Sequence, residues 1–213
     1  MSESINRWAE PEWAVRYLAE RDAIPRRIEG LEVMLEILPP DVADVLDLGT
    51  GDGSTLEFVL AARPGARGTG LDFQEEMLRR ARTRFADNDR VTIGHHDMDE
   101  VLPADLGAFD VVVSSFAIHH LVPERQRALY GEVFERLRPG GMFVNVEHVA
   151  SRSDELHIAF LTAIGKTPAT DDPSNKLVAV STHLEWLDDL HFRDVDCFWK
   201  WRELAVIGGT KAV

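Results

Sequence analysis

Two histidines and a glutamate stand where the sequence predicts the ends of two buried strands. His119 and His120 follow the apolar run at 109–115, and Glu147 and His148 end the run at 142–149. Because ligands collect at the carboxyl ends of strands in parallel α/β sheets, both positions would face one site. Imidazole titrates near neutral pH, so one of the adjacent histidines is suited to act as a general base or to orient an acceptor. In the alternative interpretation, one histidine only caps the following segment and packs its ring on a bound ligand.

Glu147 shares a face of its strand with Asn145, because side chains two residues apart on a strand point the same way. A solvated strand end is the alternative for the pair of Glu147 and His148. The predicted catalytic residues are His119, His120 and Glu147, and Ser115 and His148 complete the predicted acceptor pocket.

A glycine-rich turn follows the apolar run at 45–48 and has an acid, Asp47, two residues before its first glycine. Its glycines occupy every second position: Gly49, Gly51 and Gly53. A nicotinamide dinucleotide fold would have G-x-G-x-x-G, but its third position is Ser54 here. An acid beside the turn suits a ligand with an α-ammonium group and would repel a phosphate. A tight strand-to-helix connection is the alternative, since glycine tolerates positive φ.

The Asp-x-Gly-x-Gly-x-Gly pattern of residues 47–53 resembles motif I of the class I S-adenosylmethionine (SAM)-dependent methyltransferases. The Ile-His-His-Leu of residues 118–121 is similar to a segment found at this point in many small-molecule methyltransferases. The resemblance covers residues 41–213. It implies in-line methyl transfer from SAM to a small-molecule acceptor, with S-adenosylhomocysteine (SAH) as the product.

The sequence also resembles the carboxy-SAM synthases in part, and these need an arginine for the added carboxylate. Arg26, Arg27 and Arg202 qualify by residue type alone. A second alternative is a SAM- or SAH-binding regulatory subunit without turnover.

Asp72 ends the predicted strand at 67–72, where a carboxylate accepts charge-assisted hydrogen bonds from both ribose hydroxyls. It could also cap the following helix. The resemblance implies that Asp97, after the third strand, accepts from the adenine amine. The predicted cofactor-binding residues are Asp47, Gly49, Thr50, Gly51, Gly53, Asp72, Phe73, Met77, Asp97, Met98 and Ser114. For Phe73 and Met77, core packing is an equal alternative.

Apolar strands alternate with amphipathic helices from residue 43 onward, which predicts a parallel sheet between layers of helices. The strands are predicted at 43–48, 67–72, 90–95, 109–115 and 142–149, and the helices at 54–62, 74–86, 123–138, 151–164 and 181–190. Runs at 192–200 and 203–211 predict an antiparallel hairpin. The fold class is therefore α/β, a Rossmann-like, mostly parallel seven-stranded methyltransferase sheet with helices on both faces. Helices at 11–22 and 26–38 predict an N-terminal lid over residues 1–40, followed by the SAM-binding domain at 41–213.

Net charge, cysteine content and hydrophobicity indicate which classes of partner the chain is expected to lack. A net charge of −14 over 213 residues disfavours nucleic acid. The single cysteine excludes an internal disulfide, and with His95 and His96 it offers no metal-site spacing, so no metal is expected. No apolar stretch approaches the roughly 20 residues of a membrane span, and the first residues do not resemble a signal peptide. We therefore expect a cytoplasmic protein without a membrane partner. Tryptophans in the N-terminal helix are compatible with a homodimer.

Overall fold

The computed structural model describes residue 18 and residues 24–213. Apart from Leu18, the predicted helix at 11–22 lies outside the described residues, as do Trp8, Trp13 and Tyr17.

The described residues form a seven-stranded sheet in the order β3-β2-β1-β4-β5-β7-β6. Its strands are β1 (Asp44–Leu48), β2 (Arg67–Asp72), β3 (Val91–His95), β4 (Phe109–Ser115), β5 (Leu137–His148), β6 (Arg193–Trp201) and β7 (Leu204–Thr210). The first five pair in parallel, whereas β7 pairs antiparallel with both β5 and β6. The predicted fold class is confirmed.

Helices cover both faces of the sheet. Because neighbouring residues of a strand point to opposite faces, each strand contributes side chains to both layers of packing. The helices are α1 (Arg27–Ile37), α2 (Ser54–Ala62), α3 (Glu75–Arg84), α4 (Pro123–Arg136), α5 (Asp154–Ala163) and α6 (Val180–Asp189). Leu46 packs in one core cluster with α4 and α6, and Val45 packs in another with α1 and α2. A 3₁₀ turn, Ile118–His120, follows β4.

Helix α1 packs against the sheet, although the sequence predicted that it would be part of an N-terminal lid. Its Leu31 and Met34 are buried in the same cluster as Val45. A Cβ added at Gly30 would lie 3.2 Å from the Trp199 ring, so this helix approaches β6 closely. The predicted lid is therefore restricted to residues before α1, most of which lie outside the described residues. Ile28, on the same helix, is 53% exposed.

Two boundaries differ from those predicted. The helix expected at 123–138 ends at Arg136, and β5 begins at Leu137 because this residue already pairs with Phe109 of β4. Residues 139–141 form an irregularity within β5, after which pairing resumes between Val111 and Met142. Helix α5 begins at Asp154 instead of residue 151, since Ser153 caps it by accepting from the backbone of Leu156.

Candidate functional site

A cleft of about 730 Å³, open to solvent, lies at the carboxyl ends of the parallel strands. Its lining residues are Gly49, Gly51, Asp72, Phe73, Gln74, Met77, His96, Asp97, Met98, Asp99, Ser115, Phe116, Ala117, His120 and Leu121. The set includes most of the predicted cofactor residues and one predicted catalytic residue.

The glycine turn gives the cleft a wall of bare backbone. Gly49, Gly51 and Gly53 all have positive φ, at 69°, 56° and 80°. A Cβ at Gly49 would collide with Ala117, whereas a Cβ at Gly51 would meet no atom within 4 Å and would point into open space. Gly53 does not line the cleft: it caps α2, and a Cβ there would lie 2.7 Å from the Phe85 ring. Thus Gly51 keeps the cleft open, while Gly49 and Gly53 permit close packing.

Asp72 joins this turn to the end of β2. Its Oδ2 accepts from the backbone N–H of Gly51 at 2.8 Å, and its Oδ1 accepts from that of Gln74 at 2.9 Å. Burial raises the pKa of Asp72, and these backbone hydrogen bonds oppose the rise. The residue that caps α3 is Gln74, which accepts from Met77 N at 2.7 Å, so Asp72 is not the N-cap. A carboxylate has lone pairs beyond these two bonds, as ribose binding would need.

Asp47 lies beneath the turn, fully buried. Its Oδ2 accepts from the Thr50 hydroxyl at 2.7 Å, and its Oδ1 is buried without a partner among the described residues. Burial raises the pKa of Asp47 to about 7. Neither Asp47 nor Thr50 lines the cleft. They would therefore affect the predicted cofactor by holding the glycine turn in place and not by direct contact.

The predicted adenine side of the cleft contains Asp97 and Met98. Asp97 Oδ1 accepts from the backbone of Asp99 at 3.0 Å, and both residues line the cleft. Phe73 and Met77 line it as well. Ser114 does not: it is fully buried and donates to the Leu48 carbonyl at 2.8 Å, which fastens β4 to β1.

A buried hydrogen-bonded pair lies behind the histidine turn. His119 Nδ1 is 2.5 Å from Glu147 Oε1, and Glu147 also accepts from Asn145 Nδ2 at 2.9 Å and from the His148 backbone at 2.8 Å. These donors favour the ionised carboxylate, although burial raises the pKa of Glu147. Burial and the nearby His148 hold the pKa of His119 well below its ordinary value. His119 is therefore neutral and donates its Nδ1–H to Glu147.

His120 is the histidine that lines the cleft. Its ring centroid lies 4.1 Å from that of His119. Burial, and then the adjacent His119, hold the pKa of His120 well below its ordinary value, so the ring is neutral near pH 7. The two predicted catalytic histidines thus differ in place, since His119 is only 5% exposed and lies outside the cleft lining.

The network continues into the core through residues that the sequence did not single out. Asn145 Nδ2 lies 3.2 Å from the Tyr130 hydroxyl, which lies 2.9 Å from His183 Nδ1. His96 lines the cleft and is buried, with no partner at Nε2 among the described residues. These residues come from α4, α6 and the end of β3, and no local motif marks them.

His148 is turned away from this pair. Its Nε2 lies 2.9 Å from Glu203 Oε2, and the same buried carboxylate meets His157 Nδ1 at 3.0 Å. Glu203, in the turn before β7, therefore joins the end of β5 to α5, and His148 does not line the cleft. Ser115 does line it, and its buried hydroxyl has no partner among the described residues.

The three arginines considered for a carboxylate differ in burial. Arg26 forms an exposed pair with Glu29 at 3.3 Å, and Arg202 is exposed over the Trp201 ring. Arg27 is 6% exposed and lies 6.0 Å from the centroid of the Phe116 ring, a cleft residue. Within the described part of the chain, no cluster of three metal-ligating side chains occurs. No helix of that part is long and apolar enough to cross a bilayer.

The residues at the cleft fit SAM. The open side of Gly51 leaves room beside the turn, Asp72 has free acceptor capacity, and Met77, Met98 and Leu121 provide apolar surface for a ring.

Comparison with known proteins agrees with this architecture. A family model described as a methyltransferase domain matches residues 45–141. A demethylmenaquinone methyltransferase of Clavibacter sepedonicus is 37% identical over 103 residues, covering 48% of this chain and 40% of the relative. A release factor glutamine methyltransferase of Caulobacter vibrioides is 31% identical over 187 residues, covering 73% of this chain and 63% of the relative. The chain therefore spans less than two thirds of the length of these relatives.

The fold is shared with solved structures at low identity. An O-methyltransferase family protein from Burkholderia thailandensis superposes with a TM-score of 0.74 at 17% identity, over 97% of this chain and 62% of that one. The matched family model places a methyltransferase domain at residues 45–141, and the glycine turn at the end of β1 and the strand order make the chain similar to the class I SAM-dependent methyltransferases, a family whose cofactor is SAM.

Proposed function

We propose that this chain transfers the methyl group of SAM to a small-molecule acceptor whose nucleophilic atom gives up a proton. One observation carries the proposal: His120, backed by the buried pair of His119 and Glu147, lines the same cleft as the glycine turn and Asp72. When bound, SAM supplies an electrophilic methyl group and leaves as a neutral thioether, so the departing sulfur needs no acid. The chain then has to align the acceptor, exclude water and take one proton.

The charges around the histidine turn suit proton acceptance. Burial keeps His120 neutral, whereas Asp172 and Glu147 favour its protonated form. A neutral imidazole is able to take a proton, and the carboxylates stabilise the positive charge that results. His119 holds Glu147 in place by donating its Nδ1–H. The negative charge of Glu147 then stabilises the protonated form of the base, His120.

A small molecule is the proposed acceptor because of the lining of the cleft and the charge of the chain. The lining is mostly apolar with a few polar groups, as in small-ligand sites, and a net charge of −14 opposes a phosphate backbone. The two curated relatives are named for different acceptors, demethylmenaquinone and a release factor glutamine, so they do not single out one acceptor here. A cytoplasmic location, a homodimer and the N-terminal lid stay predictions.

The proposal is tested by SAH formation from SAM with a panel of hydroxyl, thiol, amine and carbon-acid acceptors. We expect turnover with at least one of them. His120→Ala or Glu147→Gln should lower that turnover at least about tenfold, or about 1.4 kcal/mol, because the proton acceptor or its support is lost. SAH affinity, measured by calorimetry, should stay within about threefold in both variants.

His191→Asn is the matched control, since His191 is exposed and its left-handed φ of 68° suits asparagine. Turnover that is unchanged in both site variants would remove the roles of His120 and Glu147. SAH binding without SAH formation from any acceptor would favour the regulatory-subunit alternative. Formation of a carboxylated sulfonium would favour the carboxy-SAM synthase alternative.

A further inference from the structure

The loop at 171–176 is fastened to the turn that carries the two histidines. The backbone N–H of Lys176 donates to the His119 carbonyl at 2.8 Å, and Lys176 Nζ donates to the His120 carbonyl at 2.8 Å. Gln126 of α4 holds the Lys176 carbonyl at 2.9 Å. The loop therefore lies in a defined position over the turn.

Ser174 stands between His120 and Asp172. Its Oγ lies 3.2 Å from His120 Nδ1 and 2.7 Å from Asp172 Oδ1. The Ser174 backbone N–H also donates to Asp172 Oδ1 at 2.9 Å. Ser174 is only 2% exposed, so bulk water does not compete for these bonds.

The number of protons available decides which atom donates in each of these hydrogen bonds. Burial opposes ionisation of Asp172, but hydrogen bonds from the hydroxyl and the backbone N–H of Ser174 hold its pKa below the ordinary value. An ionised carboxylate only accepts, and a hydroxyl has one proton to give. The Ser174 proton therefore goes to Asp172, and Ser174 Oγ accepts from His120. His120 Nδ1 must then carry the hydrogen.

We propose that Asp172 and Ser174 are positioning residues that hold His120 in the Nδ1–H tautomer, with the lone pair on Nε2. This inference rests on the proposed function for its chemical use. The bond between the acceptor's nucleophilic atom and its hydrogen breaks, the proton moves to His120 Nε2, and the electron pair stays on the nucleophile for bond formation with the methyl carbon. The imidazolium that forms donates its Nδ1–H to Ser174 Oγ. Because the Ser174 hydroxyl donates in turn to Asp172, the negative charge of Asp172 stabilises the imidazolium through this hydroxyl.

The two histidines thus have the same tautomer for different reasons. His119 donates directly to Glu147, which is rigidly placed in β5, whereas His120 donates through a serine to a loop carboxylate. A hydrogen-bonded partner on one ring nitrogen is what decides which nitrogen of a histidine is the base. The loop at 171–176 would therefore set the basicity of the histidine that lines the cleft.

The tautomer is tested directly by long-range ¹H–¹⁵N spectra of the full-length, ¹⁵N-histidine-labelled protein with SAH. The His120 signals are assigned from their loss in His120→Gln. We expect the wild-type His120 to show a protonated Nδ1 and an unprotonated Nε2. Ser174→Ala should raise the Nε2–H population at least about threefold, because the directing acceptor is lost. Ser174→Thr, which keeps the hydroxyl, should restore the wild-type pattern, and Ser181→Ala on the exposed surface of α6 should leave it unchanged.

A predominant Nε2–H tautomer in the wild type would overturn the proposal, and this result needs no variant to fold. An identical tautomer ratio in Ser174→Ala and wild type would overturn it as well. With an acceptor found by the panel, Ser174→Ala should lower kcat about tenfold with KM within about threefold, and Ser174→Thr should recover kcat. An Nδ1–H tautomer without any SAH formation would contradict the proposed function alone. SAH formation with a mixed wild-type tautomer would contradict the positioning role alone.

Discussion

The two sides of the cleft are built by different means. The glycine turn and Asp72 meet through backbone: the Gly51 N–H donates to Asp72, and the Thr50 N–H donates to the Leu71 carbonyl at 2.9 Å. The histidine side depends on buried side chains from distant elements, with Glu147 in β5 and Ser174 in a loop. Backbone sites are insensitive to most side-chain changes but intolerant of an added Cβ, whereas side-chain networks lose function when one polar atom is removed.

The largest expected effect is a loss of stability on the backbone side, from Gly49→Ala. Positive φ strains alanine by about 1–2 kcal/mol, and the overlap with Ala117 adds about 1–3 kcal/mol of overpacking. Urea unfolding should therefore show a loss of about 2–5 kcal/mol. Gly107→Ala is the matched control, because its φ of 91° is also positive but its Cβ would meet no atom within 4 Å. Equal losses in both variants would mean that the close approach of Ala117 contributes nothing.

The next effect is on cofactor affinity, from Asp72→Ala. Calorimetry should show SAH binding weakened by about 1.5–3 kcal/mol, the range for hydrogen bonds to a charged group. Part of the loss would come from the Gly51 N–H, which gives up its partner. Asp105→Ala changes the net charge equally at an exposed site away from the cleft, and its affinity should match the wild type. Unchanged affinity in a folded Asp72→Ala protein would remove the ribose assignment.

The smallest effect, counted over one pH unit, is a dependence of stability on pH that arises from Asp47. Its folded-state pKa, about 7, lies above the ordinary value of 3.8, so the folded chain keeps a proton that the unfolded chain releases between these values. Its favourable contribution is therefore complete below about pH 4 and is lost as the pH rises to about 7. Between pH 6 and pH 7 the loss should be about 1 kcal/mol.

Asp47→Asn cannot ionise and should gain stability over the wild type as the pH rises from 5 to 8, in urea unfolding at each pH. The asparagine oxygen still accepts from Thr50, so packing is little altered. A stability difference that is constant across this pH range would show that Asp47 titrates at its ordinary value in the folded chain.

The contrast between the two sides also explains what the sequence could predict. Gly49, Gly51 and Gly53 lie within five residues, and Asp72 ends the next strand, so period and spacing were enough to predict the turn and the sheet. His119 and His120 were found because they follow the strand at 109–115, at the carboxyl edge of the sheet where ligands collect, and because residues 118–121 resemble a segment of many small-molecule methyltransferases. Ser174, Tyr130 and His183 were missed because they have partners 15 to 54 residues away in the chain, and only the tertiary fold brings them together. Asp172 was missed with them because it reaches His120 only through Ser174.

The position of β7 has a consequence for synthesis of the chain. β7 follows β6 in sequence, yet it inserts between β5 and β6. A growing polypeptide therefore finishes β5 about 55 residues before the strand that covers its edge exists. At about 5–20 residues per second, translation leaves that edge open for several seconds. An uncovered strand edge invites pairing with other chains, so this interval is when a chaperone would have most to protect.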